Sequence, residues 1–269
     1  LTGYTGRFPQ QAVEAASAMW DEISGDLVRA LEHTAENMSE VAEREQSMLH
    51  IYAMFLCAEH RDSRAFLPMV RILSHSDPAD LDGVLGDTLT ESAGRILASV
   101  YGGEIRPIQE LIENRGASEY ARAQGLEALR ILMLAGRLEL GWLKSYLREL
   151  FEERMERAPV FPWNLVVGVA SDVGATELLP RIRAAYREGL VDPFFARLES
   201  REEDLANPEE AWQRMLNNPR RRMVESCAKE MSWWAAFRDT SQDGKERRRD
   251  DRDLQEILGS TVRRERAKV

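Results

Sequence analysis

Along most of this chain the apolar residues return every three or four positions, the spacing of one face of an α-helix. Pro9 opens a stretch with Ala12, Val13, Ala16, Met19 and Trp20 on one stripe. Ser24 is placed to cap a second stretch carrying Leu27, Val28, Leu31 and Met38. From Met48 to Ala58 the residues are apolar nearly all round, which predicts a helix buried between neighbours rather than one lying on a surface. Ser63 then precedes Phe66, Leu67, Val70 and Leu73, and Pro68 inside that pattern predicts a kink or a late start. Further stripes cover residues 89–100, 105–112, 123–133, 143–151, 163–170 and 178–186, the first of them stopped by Gly102 and Gly103. Strand signals are nearly absent. The one apolar run of strand length, VFPWNLVVGVA at 160–170, carries Pro162 near its start, which suits a first helical turn better than a central strand.

The stripes come in pairs, and the second member of each pair starts near residues 26, 64, 105, 140 and 176. That spacing lies within the period of HEAT-type helical repeats. A single hairpin cannot bury its apolar face alone, whereas stacked hairpins share a continuous core. The expectation is an all-α, HEAT-like α-solenoid of about five helical hairpins with a helical C-terminal cap. Residues 1–205 form the repeat domain, 206–237 the capping segment and 238–269 a charged tail. The stretch 192–211, with Pro193 and Pro208, reads as a loop-rich connection. Trp212, Trp233, Trp234 and Phe237 are the large apolar group left to cover the last hairpin, near 162–189. Between Phe237 and Leu254 there is nothing large and apolar to bury, which predicts a mobile stretch over 238–253. Leu254, Ile257, Leu258 and Val262 then have the spacing of one short amphipathic helix.

Charge changes the picture by making it uneven. The chain carries a net −10, but residues 1–218 hold 22 Lys plus Arg against 36 Asp plus Glu, and residues 219–269 hold 14 against 10. An acidic body repels phosphate backbones, which argues against a nucleic-acid partner. The run KERRRDDR at 245–252 interleaves acids with its bases and lacks the sustained positive stripe that nucleic acids require. No apolar run reaches the length of a membrane span, and the first residues have no signal-peptide core. The chain starts at Leu1 rather than at a methionine, as a trimmed or partial product would. Cys57 and Cys227 are far apart, each in a helical neighbourhood, and read as reduced thiols of a cytoplasmic protein.

Few residues carry chemistry. Cys57 and His60 have a ligand-like i, i+3 spacing, but two ligands are too few, and no metal or other cofactor is expected. No nucleophile elbow or phosphate-binding glycine loop occurs, so no catalytic residue is assigned. The most distinctive stretch is 85–103. Asp87, Thr90 and Glu91 stand at its start, either lining a groove for a cationic partner or simply capping a helix, with Asp87 as the cap. Ala93, Gly94, Ala98 and Ser99 behind them permit close helix packing. Trp233 and Trp234 are either part of the cap or an exposed anchor for a partner.

The runs LGDTLTESAGRILASVYGG at 85–103 and AYREGLVDPFF at 185–195, with the Phe8–Pro9 pair, resemble the bacterial "domain of unknown function 1186" family over roughly residues 4–205. The resemblance implies a HEAT-like helical fold and attaches no catalytic role. Many relatives end in a zinc-binding tail of the kind found on the SecA translocase. Here that tail keeps only Cys227, so zinc binding does not carry over. The function expected is a scaffold or adaptor that binds another protein. Two alternatives stay open: an enzyme with a groove site at Asp87 and Glu91, and a nucleic-acid-handling helical-repeat protein.

Overall fold

The computed structural model describes residues 6–44 and 47–237. The expected mobile stretch at 238–253 and the short helix after it lie outside the described residues. Among the described residues every regular element is helical.

The chain opens with α1 (Gln10–Ala18), α2 (Trp20–Glu36), α3 (Met38–Ala42), α4 (Leu49–Glu59) and α5 (Phe66–Leu73). It continues through α6 (Pro78–Leu85), α7 (Thr88–Glu91), α8 (Ala93–Ser99), α9 (Arg106–Glu113) and α10 (Glu119–Leu134). The last set is α11 (Leu140–Glu149), α12 (Pro162–Asp172), α13 (Leu179–Arg187), α14 (Leu198–Ala206), α15 (Pro208–Asn217) and α16 (Cys227–Met231). Four helices form an inner row in which each packs on the next: α4 on α8, α8 on α10, and α10 on α12. The helices α2, α5, α9 and α11 flank that row; α2 packs on α4 and α5, α5 on α9, and α9 and α11 on α10, while α13 packs on α14.

The all-round apolar stretch behaves as its pattern requires. Every residue of α4 from Ile51 to Ala58 is at most 5% exposed, because neighbours cover it on all sides. Close spacing in the row depends on small residues. A Cβ on Gly94 of α8 would lie 2.8 Å from the Cβ of Glu127 on α10, so only glycine lets these two helices approach so near. The Gly94 N–H meanwhile donates to the Gln124 side chain at 2.9 Å.

The later helix starts fall near the expected positions, at Arg106, Leu140 and Leu179, the last after a 3₁₀ turn from Thr176. Pro68 produces a late start: a short 3₁₀ turn, Ser63–Ala65, leads into α5, and its cap is Asp62 rather than Ser63. The first region differs. Ser24 is buried within the single long helix α2, and it caps nothing.

The second difference concerns the C-terminal segment. Residues 192–211 are more helical than expected, since Pro208 sits in the first turn of α15 and starts that helix instead of breaking the chain. Helices α14 and α15 pack on α12, so they cover the last hairpin, with Leu205, Ala211 and Met215 buried. Trp233, Trp234 and Phe237 do not join them. From Asn218 the chain runs back along the inner row, past α10 and α8, and ends against α4 and α1. Trp234 meets Phe55 of α4 edge-on at 5.6 Å, and Phe237 meets Phe8 at 5.3 Å. The physical reason is that α14 and α15 have already buried the last apolar face, while Phe55 and Tyr52 at the first end still need a cover.

Candidate functional site

The returning segment, residues 218–237, is fastened to the inner row by paired polar groups along one side. The Val224 N–H donates to the Ser99 hydroxyl at 2.9 Å, and the Val224 carbonyl accepts from Arg61 at 2.5 Å. The Arg95 guanidinium makes a two-pronged pair with Glu230 at 2.6 and 2.7 Å, and its Nε donates to the Arg222 carbonyl at 2.8 Å. The Cys227 N–H donates to Glu59 Oε2 at 2.7 Å. Partly buried charge-assisted bonds with this geometry are the strong kind.

On its other side the segment does not close against the protein. Between it and the helices α3, α6 and α7 lies a cleft of about 940 Å³. Its apolar lining includes Met48, Ile51, Val84, Leu85 and Trp234. Asp82, Asp87 and Glu91 stand along one lip, and Trp233, 58% exposed, stands on the other. The shape of that lip is set locally. Asp77 caps α6 by accepting from the N–H groups of Ala79 and Asp80, and Gly86 ends the helix at φ 47°, a backbone conformation that disfavours any side chain. The short helix α7 then turns Asp87 and Glu91 toward the cleft.

Of the five residues singled out from sequence, Asp87, Glu91, Trp233 and Trp234 therefore line one cleft, although about 140 positions separate the two pairs. Thr90 does not line it; its hydroxyl donates to the Asp87 carbonyl at 3.4 Å. The capping role expected of Asp87 is not what the structure shows. Its backbone is already helical, at φ −60° and ψ −20°, and its carboxylate makes no cap hydrogen bond, because a capping side chain needs an extended backbone to reach forward. The cations of the cleft are partly committed elsewhere: Arg95 to Glu230, Arg44 to Glu40, and Arg220 to Glu91 at 3.1 Å. Among the described residues the carboxylates of Asp82 and Asp87 have no such partner. Sequence reading missed Asp82, Arg95, Arg220 and Glu230. Arg95 and Glu230 are 135 positions apart, and no local spacing marks such a pair.

The wall of the cleft also holds a buried histidine. His50 Nε2 lies 2.7 Å from the Val84 carbonyl, to which it donates. Burial holds its pKa below the ordinary 6.5, and the hydrogen bond to Val84 offsets this only in part. The candidate metal pair resolves differently. Burial pushes the Cys57 thiol up to about 12, and the His60 ring stacks on Trp20 at 4.2 Å. Among the described residues no three His, Cys, Asp or Glu side chains converge as metal ligands. Ser17 lies 2.9 Å from His60 Nε2, but it donates its proton to Glu59 at 2.6 Å, so the group ties α1 to α4 and is not set up as a nucleophile.

The family described as "Protein of unknown function (DUF1186)" matches residues 1–238 of the chain. The chain belongs to this family. A relative from Chlamydia muridarum (strain MoPn / Nigg), itself described as an uncharacterized protein, is 32% identical over 194 residues, covering 72% of this chain and 77% of its own length. A Chlamydia trachomatis serovar D relative with the same description is 32% identical over 194 residues, covering 72% of this chain and 76% of its own. No solved structure matches the chain. The DUF1186 match takes in both walls of the cleft. No helix of the described residues is long and apolar enough to cross a membrane.

Proposed function

We propose that this DUF1186 protein is a cytoplasmic helical-repeat adaptor, a HEAT-like solenoid closed by its own C-terminal segment, and that it binds a protein partner in the cleft. The observation that carries the reading is the combination found there. An exposed tryptophan and two carboxylates without a cation partner among the described residues line one cleft with an apolar floor, of a size that admits several side chains. Large aromatic residues beside a desolvated pocket are the usual anchors of an interface. The pairing of α4, α8, α10 and α12 with flanking helices supports the solenoid reading. The carboxylates at Asp87 and Glu91 are exposed to solvent, which suits recognition of a cation better than acid–base chemistry.

The test is site-specific photo-crosslinking in the native cell. A photoreactive amino acid placed at Trp233 or at Asp87 should give a defined product with another protein. The same amino acid at Gln213, on α15, should not. Equal products from all three positions, or none from the cleft positions, would remove the cleft as the binding surface.

A further inference from the structure

We infer that the cleft is occupied in the resting protein by the chain's own residues 254–268, which compete with the partner for it. The inference rests on the reading of the cleft as a binding site and names what regulates that site. Three observations meet here. First, the described chain ends at Phe237, and Ala235 and Ala236, just before that end, line the cleft. The connecting residues 238–253, at up to about 3.3 Å each, can span up to about 50 Å. Second, Leu254, Ile257, Leu258 and Val262 recur at the spacing that puts apolar groups on one face, and the cleft floor is Met48, Ile51, Val84 and Leu85. Third, the charges complement each other. Residues 263–268 carry Arg263, Arg264, Arg266 and Lys268 against the single acid Glu265, and the lip they would meet holds Asp82 and Asp87, which have no cation partner among the described residues. The family match ends at residue 238, so this occupant is a feature of the chain beyond its family core.

An unconnected partner segment of similar chemistry must displace a tethered one, whose local concentration is of the order of millimolar. The test uses the full chain and a fluorescein-labelled synthetic peptide of residues 252–269, read by fluorescence anisotropy. In the variant Leu254→Asp, Ile257→Asp, Leu258→Asp the resident segment is disabled, and the peptide should bind saturably. The unmodified chain should bind it at least tenfold more weakly. Adding Asp82→Asn and Asp87→Asn to the triple variant should also weaken binding at least tenfold, with the thermal melt unchanged. Absence of saturable binding to the triple variant, or equal binding to the triple variant and the unmodified chain, overturns the proposal. Photo-crosslinking of the triple variant from position 233 separates the two readings. A partner product that persists while the peptide fails to bind removes the resident segment and leaves the partner site. Peptide binding without any partner product does the reverse.

Discussion

The two sides of the returning segment 218–237 meet the same body in opposite ways. Toward α4 and α8, each backbone and charged group described above finds a counterpart, down to the two-pronged pair of Arg95 and Glu230. Toward α3, α6 and α7, the surface is left open, with Trp233 exposed and Asp82 and Asp87 unpaired among the described residues. Neighbouring tryptophans divide in the same way: Trp234 is packed on Phe55, and Trp233 is held out. The contrast teaches that one short stretch of chain can be fastened along one face and left open along the other. Changes to one face should therefore leave the other largely untouched.

The strongest way to break the comparison is to remove the fastened face. Phe55→Ala empties a fully buried site that also supports Trp234. A loss of about 3–5 kcal/mol is expected, seen as a lower denaturant midpoint. Arg95→Met comes next. It leaves Glu230 without its partner in a partly buried place, and should cost about 3 kcal/mol in the same measurement.

His50 sharpens the comparison through pH. Its folded pKa lies below the ordinary 6.5, so the folded state takes up that proton less readily than the unfolded chain. The stability this provides is present at neutral pH and is lost as pH falls through 6.5 toward the folded value. In His50→Gln, whose amide can still donate to Val84, the melting temperature should depend less on pH between neutrality and mild acid. The smallest effect is expected on the open face. Asp87→Asn removes an exposed charge and should change stability by less than about 0.5 kcal/mol, while under the proposed function the crosslink from position 233 falls.

Much of the helical layout was legible because amphipathic stripes and turn residues are local. Leu179, Leu140 and Arg106 open helices near where the pattern predicts. The all-round apolar Met48–Ala58 stretch marked the buried α4 correctly. The path of residues 218–237 was not legible. Composition shows that Trp233, Trp234 and Phe237 need a cover or a partner, but not which end of the row supplies it. The answer depended on α14 and α15 reaching α12 first. The site was half legible for the same reason. Asp87, Glu91 and the tryptophans stood out as residues, while their meeting in one cleft, and the contribution of Asp82, depend on contacts between distant parts of the chain.

The return of the chain along the inner row also acts as a ruler. Residues 218–237 touch α10, α8 and α4 in turn, so their length matches the number of helices they cross. Open arrays of helical hairpins lengthen by simple duplication, since each unit meets only its neighbours. Here a duplicated hairpin would widen the row by about 8–10 Å, the usual distance between packed helix axes. The segment would then need about three more residues in extended form, at roughly 3.3 Å each, to reach Phe55 again. Insertions in the row and in the segment are thus coupled, and a chain that gained one without the other would lose either its last anchor or its register on Arg95 and Ser99.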